Sequence, residues 1–173
     1  DESADDDCVA GDDAAAGTDP GAPWATFARA HEAFSTLSEG DTLTFCRGGG
    51  FLVTSVHEFA NPACSAADPC VLAGYDAPWA SGDENRPTLF VQDEYGMKFC
   101  DAAIETDGGY RLTGLRLEGD GTNIGVAFAN DVDDVTMCDL EVNGFSEGIR
   151  LFGGDESGTG ATLNSRIVLR DSS

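Results

Sequence analysis

One stretch of this chain occurs twice. Leu112-Thr-Gly-Leu-Arg-Leu-Glu-Gly119 returns as Met137-Cys-Asp-Leu-Glu-Val-Asn-Gly144, 25 residues later (137 − 112). The flanks match too: Ala103-Ile-Glu-Thr-Asp107 precedes the first copy, Ala127-Phe-Ala-Asn-Asp131 precedes the second, and Arg150-Leu-Phe-Gly-Gly-Asp155 follows. A period near two dozen residues, with short alternating apolar segments and Gly-rich corners, marks stacked coils that bury their inner faces against one another. Asn-Gly and Asp-Gly turns between matched alternating runs are scarce, which weighs against antiparallel hairpins. The expectation is an all-β solenoid of parallel strands.

Composition narrows the function classes. The 173 residues suffice for one sizeable core. No run of eighteen apolar residues exists, so no membrane-spanning helix is expected. The 32 acidic residues outnumber the 9 basic ones, for a net charge of −23. Phosphate backbones require clustered Lys and Arg, so nucleic acid is excluded as a partner. Such a surface attracts cations and repels polyanions; a saline habitat and cation binding both account for it. The chain opens at Asp1 rather than Met, which reads as a processed N-terminus.

The six cysteines, at positions 8, 46, 64, 70, 100 and 138, form no Cys-x-x-Cys pair. His31 and His57 do not stand at zinc-ligand spacing from them. An even count without metal spacing favours disulfides and an oxidising compartment, with buried thiols as the alternative. Cys64 and Cys70 bracket a short loop and are the first expected pair. Cys100 with Cys138 is the second, on neighbouring coils. Cys8 with Cys46 then ties the N-terminal segment to the first coil.

Residues 1–22 are rich in Asp, Ala and Gly and read as an extended acidic arm. Residues 23–173 read as a helix followed by coils. Trp24, Phe27, His31, Phe34 and Leu37 fall at helical spacing on one apolar face, with Pro23 or Thr26 as the start and Gly40 as the stop. Strands are expected at Thr42–Cys46, Cys70–Tyr75, Thr88–Val91 and 102–106, with Gly48–Gly50 as a corner. From Tyr110 onward Leu112, Leu115, Leu117, Met137, Leu140 and Val142 point inward.

These segments resemble a known group. Gly11-Asp-Asp, Gly17-Thr18, Pro23-Trp-Ala-Thr-Phe27, Gly40-Asp-Thr-Leu43 and Gly48-Gly49 are similar to the opening of right-handed parallel β-helix proteins of the pectate-lyase-like superfamily. Cys70-Val-Leu-Ala-Gly-Tyr-Asp-Ala-Pro78, Glu84-Asn-Arg-Pro-Thr-Leu89, Tyr110–Gly119 and Val135–Val142 resemble its later coils. The resemblance implies a right-handed parallel β-helix with an N-terminal capping α-helix. It spans lyases, hydrolases, epimerases, adhesins and non-catalytic proteins, so it implies a fold far more than an activity. No capping segment follows the apolar run Ile167–Leu169, so the coil set is expected to be incomplete at its C-terminus or to stack on another chain.

The sharpest candidate for chemistry is a column of carboxylates. Asp107, Asp131 and Asp155 stand 24 apart (131 − 107; 155 − 131) and would stack at one corner, with Asp133, Asp134 and Glu156 alongside. Crowded carboxylates repel unless a cation joins them, and hard oxygen ligands suit Ca²⁺; a solvated polar corner is the competing reading. Asp133-Asp134 resembles the paired carboxylates of polygalacturonase-type hydrolases, but that family's Asn-Thr-Asp, Gly-His-Gly and Arg-x-Lys companions are missing. Lys98, Arg111, Arg116 and Arg150 form no lyase constellation and read as partners of nearby acids. His31 reads as packed on the helix. Tyr75, Trp79, Tyr95 and Tyr110 are a sugar-stacking platform if exposed and core residues if not. Gly153–Gly160 lacks the lysine of a phosphate loop. The expected function is that of a secreted or cell-surface, carbohydrate-directed domain meeting a polysaccharide or cell-surface glycan. If it is catalytic, it is a polysaccharide lyase or glycoside hydrolase. The alternative is a structural or adhesive protein that self-associates through an open coil end.

Overall fold

The computed structural model describes residues 7–82, 84–100, 107–152 and 164–173. Among the described residues one helix, α1 (Phe27–Phe34), precedes thirteen strands: β1 (Thr42–Cys46), β2 (Gly50–Val53), β3 (Glu58–Phe59), β4 (Cys70–Tyr75), β5 (Thr88–Val91), β6 (Tyr95–Phe99), β7 (Asp107–Thr113), β8 (Arg116–Glu118), β9 (Ile124–Phe128), β10 (Val132–Cys138), β11 (Glu141–Asn143), β12 (Glu147–Leu151) and β13 (Val168–Arg170). Every third strand joins the same sheet. The first sheet runs β1-β4-β7-β10-β13, the second β2-β5-β8-β11, and the third β3-β6-β9-β12. All pairings are parallel, so the chain winds as a β-helix of three faces.

The register confirms the internal repeat. Leu112 faces Met137 in the first sheet, and Leu117 faces Val142 in the second. Alternation then directs one set of side chains inward on each face. Leu72, Leu112 and Met137 form one interior row, and Phe51, Leu89 and Leu117 another. Phe59, Phe99 and Phe128 stack along the third sheet with ring centroids 5.2 and 5.4 Å apart. All of these residues are buried. Each fully buried apolar side chain contributes about 1.5–3 kcal/mol.

Helix α1 closes the top of this core. The Thr26 hydroxyl caps it by accepting from Arg29 N at 3.2 Å. It ends at Ser35, short of the expected stop at Gly40. Phe27, Ala30 and Phe34 point down; the Phe34 ring meets Phe59 and Tyr110 at 5.1 and 5.4 Å. Asn61 bonds the helix end to the coils. Its side-chain amide donates to the carbonyls of Phe34 and Leu37 at 2.7 and 3.0 Å. Its backbone N–H donates to the Tyr110 hydroxyl at 2.9 Å, and that hydroxyl donates to Asp107. A buried polar chain of this kind is stable only when its members are satisfied, so it fixes helix, loop and third coil in one register.

The residues ahead of α1 are not simply extended. Asp13 accepts from the backbone N–H groups of Ala25 and Thr26 at 2.9 and 3.0 Å and from the Thr26 hydroxyl at 2.8 Å. The Trp24 indole donates to the Ala15 carbonyl at 2.9 Å. Gly17 lies so close to that indole that an added Cβ would meet the ring at 2.2 Å. This segment therefore folds back against the start of the helix.

Two of the expected disulfides close: Cys8–Cys46 and Cys64–Cys70. The third does not. Cys100 follows β6 in the third sheet, whereas Cys138 ends β10 in the first, with its thiol donating to the Thr113 hydroxyl. The two are not on neighbouring coils: Cys100 closes the second coil and Cys138 lies in the fourth, on a different sheet, so their Cβ atoms cannot meet.

Candidate functional site

The outer face of the first sheet stands apart from the rest of this acidic molecule. With Leu72, Leu112 and Met137 inside, two rows point outward. One is Thr42, Val71, Arg111, Thr136 and Val168; the other is Thr44, Ala73, Thr113, Cys138 and Arg170. Neither row holds an acidic residue. Five strands at about 4.8 Å spacing make a flat strip about 19 Å long. Arg111 and Arg170 are exposed, two strands apart, or about 10 Å. Neither has a carboxylate partner among the described residues.

The other arginines of the coils are occupied. Arg86 bridges Asp139 and Glu141. Arg116 pairs with Glu118, and Arg150 with Glu147. These pairs lie on the second and third faces, where hydrogen bonds and charge from the partner acids push the Arg86 and Arg150 guanidinium pKa values up. The first face thus carries uncommitted planar donors, threonine hydroxyls and small apolar side chains. Such a surface can hold carboxylate, sulfate or hydroxyl groups, because a guanidinium fork meets an oxyanion with two parallel hydrogen bonds.

Charged corners border the strip. At the exit of the strands Arg47 lies 3.6 Å from Asp76. Beyond it Trp79 is 50% exposed, its indole donating to the Asp7 carbonyl at 2.7 Å. At the entry, Asp133 and Asp134 converge on Arg166, and Asp133 also accepts from the backbone N–H and hydroxyl of Ser165. Hydrogen bonds from Arg166 hold the Asp134 carboxyl below its ordinary range against the opposing effect of burial.

A cleft of about 510 Å³ opens beside β1. The β1 residues Thr42 to Cys46 form its floor, Trp24, Ala30 and Leu37 one wall, and Val9 and Gly17 to Pro20 its roof. Tyr75 lines the end nearest β4, and burial pushes its phenol pKa up.

The acidic column is not assembled as its spacing implied. Asp107 pairs in register with Val132, so Asp131 falls one position off the row. Asp107 is buried and accepts from the Tyr110 hydroxyl and Gly108 N–H. Asp131 sits at a corner with φ of 64°. Asp155 lies outside the described residues, as do the expected strand at 102–106 and the Gly153–Gly160 run. Among the described residues no group of three or more His, Cys, Asp or Glu side chains is placed to hold a metal ion. Of the aromatic candidates, Tyr110 and Tyr95 are buried, Tyr75 is half-buried and Trp79 alone is well exposed. Lys98 is also buried, donating to Glu58 across the third sheet at 2.9 Å.

The two histidines meet under the cap. The rings of His31 and His57 lie 4.7 Å apart, and His57 also contacts Phe27 at 5.2 Å. Burial, then the charge of His31, lower the His57 pKa, with Asp93 opposing. Folding therefore favours neutral His57. Its contribution is complete above the unfolded value near 6.5 and is lost as pH falls below that value toward the folded one. A His57→Gln variant should show a smaller drop in melting temperature between pH 7 and pH 5 than the parent; parallel curves would refute this role.

No protein-family model, no curated protein and no solved structure matches this chain. The fold itself defines the class: a parallel β-helix of three sheets, closed at one end by a short helix and stapled by two disulfides.

Proposed function

We propose that this is a secreted, carbohydrate-directed β-helix domain that binds a polysaccharide or cell-surface glycan on the outer face of its first sheet. The observation that carries this reading is the acid-free strip on a chain of net charge −23, with Arg111 and Arg170 exposed on it. The flat row of Thr, Ala and Val side chains suits the shallow ribbon of a glycan, and the guanidinium groups suit its carboxylates or hydroxyls. The resemblance of Gly40-Asp-Thr-Leu43 and the later coils to the pectate-lyase-like superfamily supports the same reading. Two disulfides agree with an oxidising, extracellular setting.

Affinity electrophoresis through alginate, pectin and neutral glycans tests it, with and without a chelator. The expected result is retardation in at least one glycan, weakened at least tenfold by Arg111→Ala with Arg170→Ala and weakened further by salt. Mobility unchanged in every glycan would overturn the proposal. Release of shorter or unsaturated products would add cleavage to binding. An unchanged melting temperature on chelation would remove calcium from the acidic corner, because a ligand held only by the folded state must raise it.

A second reading is self-assembly through the coil end. Leu169 and Leu151 continue buried interior rows yet are 52% and 55% exposed. Particle size that grows with concentration in light scattering, and that Leu169→Lys abolishes, would favour it.

A further inference from the structure

We propose that the cleft beside β1 receives an extended, cationic peptide segment of another protein, which adds to the first sheet as its next strand. Among the described residues β1 is the terminal strand of that sheet and pairs with β4 alone. Val71 N–H donates to the Asp41 carbonyl, and Arg47 N–H donates to the Tyr75 carbonyl. In a parallel ladder the residues of one strand alternate between its two neighbours, so positions 41, 43, 45 and 47 face β4. The N–H and C=O of Thr42 and Thr44, and the N–H of Cys46, therefore face the opposite way, along the edge that the cleft borders. No described residue bonds to these groups.

An open edge of this length normally invites pairing. Here it is covered without being filled. The segment that supplies the roof is fastened at Cys8–Cys46, at Asp13–Thr26 and at Trp24–Ala15, which hold Val9 and residues 17–20 against the cleft and leave about 510 Å³ open. The five residues of β1 offer about 17 Å of edge. Its donors and acceptors repeat at the spacing of a peptide backbone, which a sugar chain does not match. The lining is mostly apolar: Val9, Pro20, Trp24, Leu37 and Phe51 beside the floor. Alternate apolar side chains of an added strand would enter it, and backbone pairing would supply the affinity. The charge of −23 selects a segment flanked by Lys or Arg. This site adjoins the strip at Thr42 and Thr44 but uses the backbone edge of β1 and neither Arg111 nor Arg170, so the two proposals are tested by different substitutions.

Fluorescence anisotropy tests it with labelled hexapeptides carrying Val, Ile or Thr in the middle and Lys at both ends. The expected result is saturable binding. It should be weakened at least tenfold by Thr44→Pro, which removes an edge N–H, and less than twofold by Thr44→Ala. Peptides N-methylated at alternate positions test the same contact without altering the protein; they too should lose at least tenfold, as should peptides with Glu at both ends. Absence of binding across the set, equal binding of the N-methylated peptides, or full competition by a neutral oligosaccharide would each overturn the proposal. So would self-association of the full chain that Thr44→Pro abolishes, since that would assign the edge to a second copy.

Discussion

Phe99→Ala should lower the stability of this protein by about 3–5 kcal/mol, the range for removing a buried aromatic ring whose neighbours cannot collapse into the gap. Phe99 has no exposed surface and is the middle rung of the aromatic column. It stacks on Phe59 at 5.2 Å and Phe128 at 5.4 Å, and its ring centroid lies 5.2 Å from that of Tyr110. These neighbours belong to the first and third coils, on either side of Phe99, and each is fixed by its own ladder, so none can move inward without breaking backbone pairs. The same ring supports Tyr110, whose hydroxyl links Asp107 to Asn61 and so to the end of α1. Loss of the ring therefore loosens the cap as well as the column. For a chain of this size the change corresponds to about 2–4 °C of melting temperature per kcal/mol. Phe99→Leu should recover more than half of the loss by refilling the volume. Phe90→Ala, one strand earlier but 42% exposed on the outside of β5, should cost less than about 1 kcal/mol. A melting temperature for Phe99→Ala within the error of that for Phe90→Ala would contradict the column as the spine of the core.

The parts of this fold that could be read from residue order are those with an even step. Leu112 and Met137 repeat visibly because the third and fourth coils have corners of similar length. Elsewhere the step along the first sheet is 29 (71 − 42), 40 (111 − 71) and 32 (168 − 136) residues, so no fixed period survives. The strands β1, β4 and β5 carried enough β-branched and aromatic residues to be recognised. The strands β6 and β9 did not: Tyr95-Gly-Met-Lys-Phe99 and Ile124-Gly-Val-Ala-Phe128 are buried on both sides and show no alternation. The β2 strand is hidden in sequence because Gly50, which reads as part of a corner, is its first residue.

The same uneven corners displaced the acidic column. Between the third and fourth coils the step is 25 residues in the first sheet (132 − 107) but 23 in the third (147 − 124). A constant step of 24 therefore misses the row by one residue. The acid-free strip was equally hidden in one dimension. Glu118, Asp133 and Asp139 crowd the sequence around Arg111, Thr113, Thr136 and Cys138, yet Glu118 lies on the second sheet, Asp139 follows the end of β10, and Asp133, at the entry end of β10, has its carboxylate taken up by Ser165 and Arg166. Arg111 reads in sequence as a partner of nearby acids, but in the fold it is exposed and has no carboxylate partner among the described residues. The cleft had no linear signal, because its roof comes from a segment whose composition reads as an unfolded arm.

Replacing Cys8 and Cys46 together by serine should cost about 4 kcal/mol, and the equivalent double change at Cys64 and Cys70 about 2 kcal/mol. The ratio follows from loop closure: the bridges span 38 and 6 residues, and the entropy withdrawn from the unfolded chain grows with the logarithm of that span. The longer bridge has a second role in the folded state. It joins the segment over the cleft to the last residue of β1, and Cys8 and Cys46 pack with Ala77, beside Tyr75 and Ala80. The remaining fastenings of that segment, Asp13 to Thr26 and Trp24 to Ala15, lie nearer the helix. Loss of the bridge should therefore free residues 7–12 before the coils unfold. Limited proteolysis should cut the Cys8/Cys46 double variant ahead of Asp13 at temperatures where the parent resists, and leave a product that retains the circular dichroism of the β-helix. The Arg111–Arg170 strip, on strands β7 and β13, should keep its glycan retardation in that product, while the strand peptides should lose their hold on β1. Equal stability losses for the two bridges, or cleavage within the coils before the N-terminal segment, would show that Cys8–Cys46 fastens the core rather than the roof of the cleft.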